Sequence, residues 1–249
     1  MSTIPKQKYN LHIQKIKTEH LKLMKFSPMV KLPTFIDLRV KMPPIYNQGE
    51  LGSCTANALC AIIGYDDPQL IGSRLFLYYN ERKLENDISD NAGTALSDGI
   101  KCLQIYGICQ ETLWPYDISK FAVRPSDICY TQSGLHKVLQ VKNIQNDLIS
   151  MKTCLANGLL FVVGIKIYKS FESDIVTSTG IVPIPNIETE QLLGGHAVVC
   201  VGYNDKKKMW LMRNSWGTKW GLKGYFYLPY EYLTGDLATD LWNISSIQK

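Results

Sequence analysis

The period of the hydrophobic positions changes part-way along this 249-residue chain. Cys54 to Gly64 is Ala-rich and apolar on every side, which predicts a buried helix with Cys54 in its first turn and Gly64 at its end. Ser73 to Leu84 carries Leu75, Phe76, Tyr79 and Leu84 on overlapping faces behind a Ser cap, and predicts a second helix. Thr94 to Tyr106 predicts a third, capped by Thr94 and stopped by Gly107, and Asp147 to Asn157 a fourth, ending at Gly158. Leu11 to Met24 reads as a helix near the N-terminus. Beyond residue 158 the runs are short and strand-like: Leu159 to Tyr168, Ala197 to Tyr203, Lys208 to Arg213 and Gly224 to Leu228. Helices first and strands second predict an α+β protein of two unlike lobes, with a cleft between them as the place for a site.

Composition narrows the class. Hydrophobic residues make up 45% and charged residues 20%, as in ordinary globular proteins. No apolar run approaches the ~20 residues needed to span a bilayer, and no signal peptide is read at Met1–Lys6, so neither a membrane nor a secreted protein is expected. The net charge of +5 is uneven: residues 1–31 hold seven Lys and one Glu, which leaves −1 for the rest. The body thus has no basic face of the kind that binds nucleic acid. Seven Cys without a CxxC, and four scattered His, give no zinc pattern; no metal and no cofactor is expected. These Cys read as reduced thiols, with Cys60 and Cys200 in the core and no bond demanded between Cys102 and Cys109. Asp87, Asp90 and Asp98 read as a solvated face.

Three segments carry candidate chemistry: Gln48-Gly49-Glu50-Leu51-Gly52-Ser53-Cys54, Gly194-Gly195-His196-Ala197-Val198 and Asn214-Ser215-Trp216-Gly217-Thr218-Lys219-Trp220-Gly221. Each alone has an ordinary structural reading: a core Cys, a satisfied His, a turn after a strand. Their order is more specific. His196 follows Cys54 by 142 residues and Asn214 follows it by 160, the spacing of papain-type enzymes.

From Leu32 onward the chain resembles the papain-like cysteine peptidases, the cathepsin-containing family, in the short-motif branch found in bacteria and large DNA viruses. Leu32-Pro33…Asp37-Leu38-Arg39 is similar to its mature start, Asn91-Ala92-Gly93 to its Asn-Gly-Gly loop, and Tyr106-Gly107-Ile108 and Trp114-Pro115-Tyr116 to its downstream segments. The resemblance implies a papain-like fold, a helical N-terminal lobe and a β-barrel-like C-terminal lobe about an active-site cleft. It divides the chain into an extension at 1–31, a helical lobe at 32–130 and a β lobe at 131–249. It implies Cys54 as nucleophile, His196 as its proton partner, Asn214 as orienter of the imidazole under Trp216, and Gln48 as oxyanion donor. Gly93, Gly195 and Trp216 would bind substrate. The implied activity is a thiol endopeptidase acting on peptides or proteins through a thioester, as a monomer, in the cytoplasm or a virion. A thiol acyltransferase or deamidase, and a non-catalytic binding protein, are the alternatives on the same fold.

The departures from the family are specific. Leu51 and Asp90 stand where the family has a bonded Cys pair, and Thr55 replaces an aromatic beside the nucleophile. Asp117 to Ser133 contains no His, so the paired-His loop of the cathepsin B exopeptidase is absent and endopeptidase action is expected. Residues 1–31 read either as a basic tail or as a short pro-segment lying over the cleft, the zymogen reading.

Overall fold

The computed structural model describes residues 8–13 and 31–248. Helix α1 (Cys54–Asp66) is buried from Cys54 through Gly64, as its all-round apolar sequence requires. It runs two residues past Gly64, which is a packing site: a Cβ there would meet Pro43 Cγ at 3.0 Å. Helix α2 (Arg74–Leu84) starts on Ser73, whose hydroxyl accepts from the Phe76 N–H. Helix α3 (Leu96–Ile105) begins later than the sequence suggests and has no side-chain cap, because the Thr94 hydroxyl is engaged elsewhere. Two further helices follow, α4 (Asp127–Ser133), which the sequence did not suggest, and α5 (Leu148–Ala156), capped by Asp147.

Among the described residues the strands form one antiparallel sheet. Its members are β1 (Phe35–Asp37), β2 (Val138–Asn143), β3 (Phe161–Tyr168), β4 (Leu192–Asn204), β5 (Met209–Arg213), β6 (Tyr225–Pro229) and β7 (Ala238–Ile247). They run in the order β2-β7-β3-β4-β5-β6, with β1 also pairing to β4. Short helices α6 (Asp174–Thr179) and α7 (Tyr230–Thr234) sit in its connections. The central strand β4 sets His196 opposite Ile165 of β3. Helix α1 packs across β4 and β7, so the start of α1 and the middle of β4 meet at one cleft.

The helical reading of Leu11 to Met24 fails at its described end. Leu11 to Ile13 is not helical, the Leu11 and His12 N–H groups being committed to the Gly195 and Thr94 carbonyls; the remainder of that reading lies outside the described residues.

Candidate active site

The helical wall of the cleft is built from polar side chains. Cys54 is the first residue of α1, buried, with the backbone N–H groups of Ala197, Thr55 and Cys54 facing its sulfur. Burial pushes the thiol up to about 12, opposed chiefly by the Ala197 N–H and reinforced by the Glu81 carboxyl. Gln48 is fully buried, donates from Nε2 to the Leu51 carbonyl at 3.0 Å, and accepts at Oε1 from the Ser215 hydroxyl at 2.6 Å. Asn91 ties two loops together: its Oδ1 accepts from the Gly52 N–H and the Tyr78 hydroxyl, each at 2.7 Å, and its Nδ2 donates to the Glu50 carbonyl at 2.9 Å. These bonds join the residues around Leu51 and Asp90 without a disulfide. All seven Cys are unpaired and buried.

The β wall rests on strand register and aromatic packing. His196 Nε2 lies 2.8 Å from Asn214 Oδ1, which also accepts from the Ser215 N–H. Since that oxygen can only accept, Nε2 carries the proton and Nδ1 the lone pair. Nδ1 is buried and has no hydrogen-bond partner among the described residues. Trp216 stacks on the imidazole with centroids 4.9 Å apart, and Trp216 is packed in turn by Phe171 and Trp220. Burial pulls His196 down to about 4, against the raising effect of the Asn214 bond. Burial in this state thus disfavours both the thiolate and the imidazolium.

Residues 8–13 run between the two walls. Asn10 pairs in parallel with Gly195, Leu11 donates its N–H to the Gly195 carbonyl at 3.1 Å, and His12 donates its N–H to the Thr94 carbonyl at 3.1 Å. Three glycines give the segment room. A Cβ on Gly93 would lie 1.8 Å from the Asn10 carbonyl oxygen, one on Gly194 2.2 Å from that of Tyr9, and one on Gly195 2.8 Å from that of Leu11. Gly93 also has φ +86°, which glycine adopts without strain. The Tyr9 ring meets His196 edge-on at 6.3 Å and Trp216 at 5.8 Å, and its hydroxyl donates to Glu172 at 2.7 Å. Leu11 is 5% exposed against Gly164 of β3, and His12 Nδ1 lies 3.1 Å from Glu85. Among the described residues neither Lys8 nor Lys31 makes an ion pair; the contacts are mostly backbone and apolar.

Residues 32–233 match the profile of the papain family cysteine proteases. The chain belongs to the papain family of cysteine proteases. A peptidase C1-like protein of Acanthamoeba polyphaga mimivirus is 41% identical over 216 residues, covering 81% of this chain and 69% of that protein. Cysteine proteinase 1 of Entamoeba histolytica is 27% identical over 228 residues, covering 85% and 68%. Xylellain, a cysteine protease from Xylella fastidiosa, superposes with a TM-score of 0.86 at 35% identity, covering 99% of this chain and 98% of that one. The expected papain-like α+β fold and thiol endopeptidase class therefore hold for this chain.

The structure brings all the sequence-derived site residues of this papain-family enzyme, Gln48, Cys54, Gly93, Gly195, His196, Asn214 and Trp216, to one cleft. Sequence reasoning missed four more. Asn91 was visible only as part of a loop, Ser215 was masked by its neighbours in Asn-Ser-Trp-Gly, and Glu81 and Glu172 reach the site only through tertiary folding. Among the described residues no helix is long and apolar enough to cross a membrane, and no group of three His, Cys, Asp or Glu could hold a metal.

Proposed function

We propose that Cys54 is the nucleophile of an endopeptidase, with His196 as proton carrier, Asn214 as orienter and Gln48 as oxyanion donor. The observation that carries this reading is the buried His196–Asn214 bond under Trp216, which leaves the Nδ1 lone pair without a partner among the described residues, next in sequence to Ala197, whose N–H faces the Cys54 sulfur. Nδ1 takes the thiol proton as the sulfur attacks the scissile carbonyl. The oxyanion is met by the Cys54 N–H and the second Nε2 proton of Gln48, the first being given to Leu51. The imidazolium then returns its proton to the leaving amine, and water attacks the thioester with His196 again as base. Gly93, Gly195 and Trp216 bind the substrate backbone along the path now taken by residues 8–13.

The second part of the proposal is that the segment at 1–31 inhibits the body, whose lobes at 32–130 and 131–249 flank the cleft. Its course over His196 supports this: a peptide substrate and residues 9–12 need the same backbone partners. Covering the cleft also desolvates Cys54 and His196 and so keeps both neutral, and departure of the segment readmits water and permits the ion pair. One chain supplies every group, so a monomer suffices. Seven unpaired thiols favour a reducing compartment, the cytoplasm or the interior of a virion. The test is alkylation of a chain beginning at Lys31 by an epoxysuccinyl peptide, with the adduct located by mass spectrometry. Stoichiometric labelling of Cys54 that needs His196 is expected; labelling spread over several Cys, or unaffected by His196→Ala, overturns the assignment.

A further inference from the structure

Glu81, on α2 behind the nucleophile turn, is fully buried and has no part in the mechanism above. Its Oε2 lies 2.7 Å from Thr55 Oγ1 and 2.9 Å from Thr94 Oγ1, and the two threonine oxygens are 2.8 Å apart. Three oxygens thus make three mutual contacts of hydrogen-bond length. Two hydroxyls supply two protons, so a carboxylate leaves one contact between oxygens with no proton in it. A protonated carboxyl supplies the third and closes the ring. The other oxygen, Oε1, has no hydrogen-bond partner among the described residues. It points to a dry place on α3, where a Cβ on Gly99 would meet it at 2.5 Å and Leu59 Cδ1 at 2.4 Å. A carbonyl oxygen tolerates such a site far better than a charged one.

Among the described residues no cation pairs with Glu81. The groups facing it are Cys54, Thr55 and Cys60 from α1, Tyr78, Arg82 and Glu85 from its own helix, Asp98 and Cys102 from α3, and Thr94 from the loop between. The neighbouring Arg82 guanidinium turns away to the carbonyls of Ile88, Asp90 and Phe121, and His12 pairs with Glu85. Burial, aided by Glu85 and Asp98, raises the carboxyl to about 7 despite the two threonine bonds.

We propose that Glu81 is a positioning residue held as a neutral carboxylic acid, whose ring with Thr55 and Thr94 fixes the nucleophile turn to the Gly93 rim, and whose ionisation ends activity on the alkaline side. Thr55 adjoins Cys54, and Thr94 adjoins Gly93 and offers its carbonyl to an extended chain. Loss of the carboxyl proton loosens that link and sets a buried negative charge behind the developing thiolate. The inference rests on Cys54 as nucleophile for its effect on rate, but the protonation state of Glu81 can be measured without any turnover.

The experiment is therefore double and uses the full chain. Carboxyl 13C resonances of glutamate-labelled protein are followed with pH, Glu81 being assigned by its absence in Glu81→Gln, or by its shift in Thr94→Val should the first variant not fold. Glu81 is expected to remain protonated at about pH 5.5 and to ionise near neutrality; a Glu81 already ionised at about pH 5, like a solvated Glu, overturns the proposal. In parallel, Glu81→Gln keeps three protons in the ring at every pH. Its kcat/KM relative to the parent should rise about thirtyfold between about pH 6 and pH 8.5, since pH 8.5 lies about one and a half units above the carboxyl and each unit is a factor of ten. A flat quotient would leave Glu81 a structural residue only, against the proposal. Should residues 1–31 silence both full chains, the quotient is read on the same pair begun at Lys31; absence of activity there would contradict the nucleophile assignment while leaving the titration as the test of Glu81.

Discussion

The two walls of the cleft are made by different means. The β wall holds His196, Asn214 and Trp216 by strand register and by an aromatic cluster of Trp216, Trp220 and Phe226, close in sequence to the Asn214 motif, with Phe171 from the turn after β3. The helical wall holds Gln48, Cys54 and Gly93 by side-chain hydrogen bonds from Ser215, Asn91, Thr94 and Glu81, which come from distant parts of the chain. The first arrangement excludes water and tunes a base. The second fixes backbone loops whose N–H and C=O groups must meet a peptide. Damage to the β wall should therefore act on proton transfer, and damage to the helical wall on stability and substrate binding.

The largest effects come from the groups proposed to react. Cys54→Ala should lower turnover at least a thousandfold, His196→Ala about as much, and Asn214→Ala by roughly ten- to a hundredfold, with Tm little changed in the first. An Asn214 effect exceeding that of His196 would break the division of roles on the β wall. Gly93→Ala probes the helical wall. It places a Cβ where Asn10 or a substrate carbonyl lies, at φ +86°, at a backbone cost of about 1–2 kcal/mol. KM should rise about tenfold in a chain beginning at Lys31, and residues 8–13 of the full chain should become open to limited proteolysis. An unchanged KM would mean that the rim does not bind substrate.

The pH dependence distinguishes the walls again. His196 is pulled from its usual 6.5 to about 4 in the covered state, and the Tyr9 ring against it is part of that burial, so a His196 that rises on uncovering makes the covered state lose stability as pH falls toward 4. Acid should thus expel the segment, and the kcat/KM of the full chain divided by that of the chain from Lys31 should climb toward one over this range. A quotient that falls in acid would contradict the burial argument. The smallest effect is expected from Asn91→Ala, which removes two hydrogen bonds to the loop at 50–52 and one from Tyr78 of α2 and should cost about 1–3 kcal/mol in thermal or urea unfolding.

The same contrast explains what could be read from the residues alone. Helices α1 and α2 follow from an apolar run and a Ser cap, and the reacting constellation from motif order. The Thr94 cap was misplaced because its hydroxyl serves Thr55 and Glu81, partners that no local pattern reveals. Strands β2 and β7 escaped notice because Gln140, Lys142, Thr239 and Asn243 interrupt their apolar positions, and only pairing with each other and of β7 with β3 organises them. Leu11 to Ile13 has apolar spacing compatible with a helix, yet tertiary hydrogen bonds to Gly195 and Thr94 keep it from forming one. Thr55, a departure from the family, became intelligible only beside Glu81, and the missing Cys pair only beside Asn91.

The central claim is that both walls are already formed around residues 8–13 and that this segment, not an unformed site, holds activity down. Comparing kcat/KM of the full chain with that of a chain beginning at Lys31, at low and high salt, tests it most directly. The account predicts a rise of at least about tenfold on removal of the segment, with only a modest salt dependence, because the described contacts of residues 8–13 are backbone, apolar, phenolic and, at Asn10, amide, with a single His12–Glu85 pair. Equal values for the two chains would contradict it.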